Sequence, residues 1–289
     1  MERKKTKQHI GGERIVILFL LPSIIGLLTF FIVPFLLSLY NALIDNPATR
    51  HFVGFANFVT VLQNGNFQMA VKNTALFTAI CVPANLIVPL LLAMFLRQLK
   101  RLRNVMWLVF LLPLVIPSGS IVFFWEKTFG LNGWINALFF AQNPADLLNT
   151  HYALWIIVLI FIWKNSGYNM VLFFAGLNYI PKEYYECASI EGAGRVQTFF
   201  RITLIYLVPT IFLAFIMAFI NSFKSFKDIY LLSGAYPSKS LYMLQHYLYN
   251  QFTAINYQKL ASSSYIVTLA FVGIVAAMFV IQTRISRSL

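Results

Sequence analysis

The stretch NTALFTAICVPANLIVPLLLAMFL, Asn73 to Leu96, decides the fold class because its 24 residues contain no Asp, Glu, Lys or Arg. A helix needs about 20 consecutive apolar residues to cross the hydrocarbon core of a bilayer. The whole chain of 289 residues is 59% hydrophobic and 11% charged, whereas a soluble domain is about one quarter charged. The stretch therefore predicts a membrane-spanning helix.

Further apolar stretches continue this pattern on both sides. Together they predict six spans, at about residues 15–43, 73–97, 104–125, 152–177, 202–223 and 260–283. The fourth span requires Lys164 to lie inside the membrane. A helix satisfies its own backbone hydrogen bonds in lipid. We therefore predict an all-α polytopic membrane protein in which residues 1–289 form a single transmembrane domain.

The net charge of +13 is distributed unevenly between the predicted loops. If the N-terminus lies inside the cell, 14 of the 22 Lys and Arg residues fall on the cytoplasmic side and seven fall outside. Cytoplasmic loops of membrane proteins carry such an excess of basic residues. Both termini are therefore predicted to be cytoplasmic, with membrane lipid rather than nucleic acid as the partner of the positive charge.

The cytoplasmic loop 178–201 contains the string IPKEYYECASIEGAGRVQTFFR, which runs from Ile180 to Arg201. Pro181 suits the start of a helix, and the acids Glu183 and Glu186 suit the positive end of its dipole. Small residues follow at Cys187, Ala188, Ser189, Gly192, Ala193 and Gly194. The string predicts a short helix, a tight turn and a second helix. The alternative is an amphipathic helix on the headgroups, although its acids would then face an anionic leaflet.

This loop resembles a known motif. The residues from Glu186 to Ala193, with Ile202, Leu204 and Pro209 downstream, resemble the EAA loop of permease subunits of bacterial ABC importers. That loop has the pattern E-A-A-x-x-D-G-A, then I-x-L-P-x-L-x-P. The segments from Trp163 to Pro181 and from Phe223 to Pro237 resemble permeases of the maltose and glycerol-3-phosphate class.

The sequence departs from the family pattern at a few positions. Cys187 replaces the first alanine, Glu191 replaces the aspartate, and Ile205 stands in place of the first proline. In the predicted outer loop, the residues from Ser233 to Pro237 replace a T-G-G-G-P turn. We expect a straighter entry to the fifth span and altered contacts with a binding protein.

The resemblance implies the type I ABC importer permease fold, in the cytoplasmic membrane of a bacterium. It implies four partner chains: a second homologous permease, two ATPase subunits, and an extracytoplasmic solute-binding protein. The ATPases would bind ATP and Mg, so this chain is predicted to hold no cofactor and not to be an enzyme. The residues implied to couple to the ATPases are Glu183, Glu186, Cys187, Ala188, Glu191, Gly192, Ala193 and Gly194.

Two polar patches fall inside predicted spans. Lys164, Asn165 and Tyr168 share one helix face by their spacing, and Asn221, Ser222 and Ser225 form a second patch. The resemblance implies that both patches line the pathway of an oligosaccharide or related sugar. The alternative for the second patch is a seam of polar residues between packed helices. Lys164 either snorkels to the interface, donates to carbonyls of a neighbouring helix, or contacts an acidic sugar.

Other functions are weighed against what the sequence lacks. It has no G-x-x-x-x-G-K-[ST] phosphate loop, so any ATP that it uses must be hydrolysed by another chain. A self-sufficient ion-coupled carrier or channel is the alternative function, but a carrier needs titratable groups at mid-membrane, and all nine acids lie outside the predicted hydrocarbon. The histidines His9, His51, His151 and His246 lack metal-ligand spacing and are predicted to be solvated or interfacial.

Overall fold

The computed structural model describes residues 18–99, 103–140, 142–150 and 152–287. The basic N-terminal segment, the first three residues of the predicted first span, Lys100, Arg101 and His151 lie outside these ranges. In the described ranges the chain is helical apart from loops and one isolated bridge between Ile44 and Phe52. Five of the described helices are long and apolar enough to cross a membrane, or six if one bent pair is counted as a span.

The helices follow the apolar stretches of the sequence. In chain order they are α1 (Leu18–Ala42), α2 (Ala56–Leu62), α3 (Gly65–Gln98), α4 (Arg103–Val115), α5 (Ser118–Phe129), α6 (Trp134–Phe139), α7 (Ala153–Tyr179), α8 (Lys182–Ile190), α9 (Arg195–Thr198), α10 (Leu204–Tyr206), α11 (Val208–Lys224), α12 (Phe226–Ser233), α13 (Leu244–Thr253) and α14 (Tyr257–Arg287). Among the residues that the structure describes, two segments are π-helical, Leu28–Ile32 within α1 and Phe199–Thr203 between α9 and α10.

The third apolar stretch differs from its prediction. Instead of one span over 104–125, helix α4 ends at Val115 and α5 begins at Ser118, and the chain bends by 99° between them. Pro117 stands at the start of α5 with an extended ψ of 142°. Proline has no N–H and pushes the residue before it out of the helical region, so the sequence itself breaks the helix here.

The chain divides into two compact units, residues 1–63 with 251–268 and residues 64–250 with 269–289. The single domain predicted for 1–289 remains a prediction.

The first unit joins the end of α1 to α2 and to the start of α14. The side-chain amide of Asn57 on α2 donates to the carbonyl oxygens of Ala42 and Ile44, at 2.9 and 2.8 Å. Ala42 is buried in a cluster with Ala261 and Tyr265. These bonds satisfy carbonyls at the end of α1 that the helix itself leaves unpaired.

The second unit is organised around α7, which packs against α3, α4 and α11. One apolar cluster forms around Phe161 and another around Phe173. Gly167 lies so close to α4 that a Cβ atom there would stand 2.2 Å from the carbonyl oxygen of Phe110. Helices in membranes approach one another closely where small residues line the interface. The α4–α7 contact therefore requires glycine at this position.

His246 on α13 differs from the prediction for it. It is fully buried rather than solvated or interfacial. Its Nδ1 accepts a hydrogen bond from the backbone N–H of Met243 at 3.1 Å, and its ring packs edge-on against Phe226. Burial lowers its pKa from 6.5 to about 4, so the imidazole is neutral at physiological pH.

Candidate functional site

A polar cavity of about 290 Å³ opens among helices of the second unit. Helices α4, α5, α7, α11 and α12 line it, together with Ser225, which lies between α11 and α12. The lining residues are Leu114, Ser118, Lys164, Asn165, Asn221, Lys224, Ser225, Lys227 and Asp228. All but Leu114 carry a polar or charged side chain. Polar groups inside an apolar bundle line a pathway or a binding site far more often than they face lipid.

The cavity is organised by an ion pair between α7 and α12. The Nζ atom of Lys164 lies 2.7 and 2.9 Å from the two carboxylate oxygens of Asp228, and 3.2 Å from the hydroxyl oxygen of Ser118. Asp228 occupies the first turn of α12, where the helix dipole favours a carboxylate. A lysine in a span costs roughly 3 kcal/mol unless it is paired or hydrated, and Asp228 provides the pairing.

The side chains of Asn165 and Ser225 bond to carbonyls of their own helices. Asn165 donates to Phe161 at 2.9 Å, and Ser225 donates to Asn221 at 3.2 Å. These bonds occupy one donor on each side chain and leave the acceptor oxygens of Asn165 and Ser225 for other contacts. The cavity therefore presents amide and hydroxyl groups together with charged ones.

The structure brings four of the six predicted pathway residues to this cavity, namely Lys164, Asn165, Asn221 and Ser225. Tyr168 and Ser222 do not line it. The Ser222 hydroxyl donates to the Phe219 carbonyl at 2.7 Å and lies 3.2 Å from the Thr78 hydroxyl of α3. That contact has the geometry of the packing seam that was the alternative for this patch.

Five cavity residues were not predicted from the sequence: Leu114, Ser118, Lys224, Lys227 and Asp228. Asp228 was expected to lie outside the hydrocarbon, and none of the three interpretations of Lys164 included a carboxylate of this chain. The sequence did contain one signal for this partner. Lys164 is a charge inside a predicted span, and such a charge requires an acid near it. Asp228 is the acid nearest to the fifth apolar stretch in the sequence.

The second candidate site is the loop helix α8, which has a narrow covered face. Only Tyr185 and Ala188 are partly or fully covered, and the other residues of the helix are exposed. The exposed set includes the predicted coupling residues Glu183, Glu186 and Cys187, and also Ile190, which is 86% exposed. Of the predicted coupling residues on α8, only Ala188 is therefore covered by the rest of the chain.

The covered face attaches α8 to the membrane helices. The Tyr185 hydroxyl lies 3.1 Å from that of Thr203, and the guanidinium of Arg97 lies 5.6 Å from the centre of the Tyr185 ring. Ala188 is buried beneath the helix. One cation–π contact and one hydrogen bond therefore hold α8 against the end of α3 and the π-helical segment.

The turn after α8 has the form that its glycine predicts. The N–H groups of Glu191, Gly192 and Ala193 donate to the carbonyls of Cys187, Ser189 and Ala188 at 2.9 to 3.1 Å. Gly192 has φ of +78°, a left-handed conformation that glycine adopts without strain. Gly194 then caps α9 in an extended conformation.

Comparisons with known proteins agree with this architecture. Residues 73–289 match the family described as "Binding-protein-dependent transport system inner membrane component". The chain is 34% identical to the probable ABC transporter permease protein YesP of Bacillus subtilis (strain 168), over 94% of this chain and 90% of that protein. It is 32% identical to the arabinooligosaccharides transport system permease protein AraP of the same organism, over 90% of this chain and 85% of that protein.

Its fold is similar to that of a chain in a bacterial ABC transporter involved in the import of the acidic polysaccharide alginate. The TM-score is 0.82, with 23% identity over 97% of this chain and 99% of that chain. The predicted fold class, the all-α type I ABC importer permease fold, is confirmed, and the predicted number of six transmembrane helices is reached if the bent pair is counted as one span.

The fold and the loop define a transport permease of an ABC importer. The chain belongs to the family of binding-protein-dependent transport system inner membrane components. It is thus a multi-pass inner membrane protein, and the alternative of a self-sufficient carrier or channel finds no support among its relatives.

Proposed function

We propose that this chain forms half of the translocation pathway of an ATP-driven importer for an oligosaccharide or related sugar. The observation that carries the proposal is that one helix, α7, joins both candidate sites. Lys164 of the cavity and Pro181 at the start of α8 are 17 residues apart in sequence, or roughly 25 Å at 1.5 Å per helical residue. A displacement of α8 is therefore passed directly to the cavity.

The proposed partners are those that membership of the permease family implies. A second homologous permease completes the pathway, and an extracytoplasmic binding protein delivers the solute. Two ATPase subunits bind the exposed faces of the two α8 regions, one region in each permease. In this chain the residues concerned are Glu183, Glu186, Cys187, Ala188, Glu191, Gly192, Ala193 and Gly194. Ala188 is buried, so it contributes by packing α8 rather than by direct contact. The ATPases bind ATP and Mg, and both termini of this chain are cytoplasmic.

The mechanism is a rigid-body one. When ATP brings the ATPases together, the α8 regions of the two permeases move with them, because the Tyr185 contacts fix α8 to the bundle. The spans then rock between inward-facing and outward-facing states. Close-packed helices have few intermediate arrangements, so a small movement at one end switches the other end between discrete positions.

The sugar class is supported by the chemistry of the cavity and by one relative. Amide and hydroxyl groups suit the hydroxyl edges of a sugar ring, and Asn165, Asn221 and Ser225 supply them. AraP, which shares 32% identity with this chain, is by name a permease for arabinooligosaccharides. Tyr168 and Ser222 do not line the cavity and remain proposed pathway residues.

The test is reconstitution. The chain is purified with its genomic neighbours and placed in liposomes, and uptake of oligosaccharides is measured with and without ATP and the binding protein. We expect uptake only when a second permease, ATPases and the binding protein are all present. Uptake by this chain alone would contradict the proposal, as would a complex that assembles without any ATPase subunit.

A further inference from the structure

We propose that the solute is an anionic oligosaccharide, one whose sugar units carry carboxylates, and that Lys224 and Lys227 bind it. The inference rests on the proposed function and narrows its substrate class. It arises from the charges that line the cavity rather than from Lys164, the residue that the sequence first suggested for contact with an acidic sugar.

The charged side chains in the cavity do not balance. Three lysines, Lys164, Lys224 and Lys227, line it together with a single carboxylate, that of Asp228. The cavity therefore carries a net positive charge at neutral pH.

Lys164 is not the residue that provides the excess. An ammonium group has three hydrogen atoms to donate. Its three contacts are the two carboxylate oxygens of Asp228 and the hydroxyl of Ser118. Lys164 and Asp228 thus satisfy one another, and Lys164 positions the wall of the cavity rather than binding the solute.

Lys224 and Lys227 hold the charge that remains. Both are exposed, and in the described ranges of the chain the pair of Lys164 and Asp228 is the one ion pair. Lys224 lies in the last turn of α11, where a cation suits the dipole, but Lys227 lies in the first turn of α12, where it does not. Two cations three residues apart also repel one another. An anion between them relieves both penalties.

A carboxylate-bearing sugar matches this set of groups better than a neutral one. The ammonium groups would bind its carboxylates through charge-assisted hydrogen bonds, which are stronger than those between neutral groups. The amides of Asn165 and Asn221 would bind ring hydroxyls. The competing arrangement is a carboxylate of the second permease facing the two lysines, and that arrangement predicts a neutral solute.

The solute class is tested in cells that express the complete transporter with its binding protein. The cells receive mixed partial hydrolysates of polygalacturonan, alginate, glucuronoxylan, arabinan and starch. Depletion of each oligosaccharide is followed by mass spectrometry against cells that lack this permease. We expect permease-dependent depletion of carboxylate-bearing oligosaccharides. Depletion of neutral oligosaccharides alone would overturn the inference and leave the proposed function standing, whereas depletion of none would overturn both.

The two lysines are tested with a matched pair of double variants. We expect Lys224→Gln with Lys227→Gln to lower uptake of the depleted acidic sugar at least about tenfold at low concentration, because hydrogen bonds to charged groups are worth that factor or more. Lys72→Gln with Lys127→Gln removes the same charge at exposed positions outside the cavity, and should leave uptake unchanged. Complex yield is measured for both. Equal uptake in the two double variants would overturn the assignment of Lys224 and Lys227.

Discussion

The cavity at Lys164 and the loop helix α8 are built from contacts of very different range. The ion pair of the cavity joins residues 64 positions apart. The turn after α8 is closed by bonds between residues no more than five apart, such as Ala193 and Ala188. The cavity therefore depends on the packing of the whole bundle, while the outward face of α8 contributes little to that packing. Substitutions should cost stability at the first site and coupling at the second.

The largest effect is expected at the loop. Glu186 is exposed, so Glu186→Ala should change the free energy of unfolding by no more than about 0.5 kcal/mol. Loss of one partner of a buried charge pair in an interface costs about 2 to 5 kcal/mol, so ATP-driven uptake should fall about a hundredfold. The loss of coupling is measured in the reconstituted complex as a fall in the ATPase activity that the loaded binding protein stimulates.

The control for this variant is Glu126→Ala, which removes an exposed acid from α5. It should leave both quantities unchanged. Normal stimulated ATPase activity in Glu186→Ala would refute the coupling role of Glu186. It would also refute the expectation that substitutions in the loop affect coupling rather than stability.

The ion pair should give the largest effect on stability. Lys164→Met leaves the carboxylate of Asp228 buried without its partner, which costs about 3 kcal/mol of unfolding free energy. Replacing both residues, with Lys164→Met and Asp228→Leu, removes the unpaired charge and should recover most of that loss. Thermal unfolding of the complex in detergent measures both. If the double variant is no more stable than Lys164→Met alone, then the pair does not organise the cavity as described.

A smaller loss is expected where α7 meets α4. Gly167→Ala places a methyl group against the carbonyl of Phe110, and such overpacking costs about 2 kcal/mol. Gly119→Ala, at a glycine with open space around it, should be neutral or slightly stabilising. The measurement is the difference between the thermal unfolding midpoints of the two variants. Equal midpoints would show that α4 and α7 separate without cost.

The smallest effect concerns pH. An unfolded histidine binds a proton near pH 6.5, but His246 does so only near pH 4, so the unfolded state binds more protons between these values. The stability that His246 contributes is complete above pH 6.5 and is lost as the pH falls toward 4. Between pH 7.5 and 5.5 the loss is about 1 kcal/mol. A His246→Gln variant with the same pH dependence as the parent would contradict this assignment.

The same contrast explains what could be predicted from the sequence. The α8 helix, its turn and the start of α9 depend on neighbouring residues, so the local sequence pattern predicts these three elements correctly. The apolar stretches likewise predicted the helical fold class. Pro117 was visible as a helix breaker, but its position alone does not give a bend of 99°. The partner of Lys164 and the burial of His246 depend on residues distant in sequence, so local patterns did not contain them.

The π-helical segment Phe199–Thr203 determines where this chain tolerates a change in length. In an ordinary helix, deletion of one residue turns everything that follows by about 100°. A π-helical turn holds one residue more than an α-helical turn, so a deletion within the segment is absorbed when it relaxes to α-helix. The residues of α11 would keep their orientation, with Asn221 still lining the cavity. Relatives that are one residue shorter in this segment are therefore expected to preserve the same pathway.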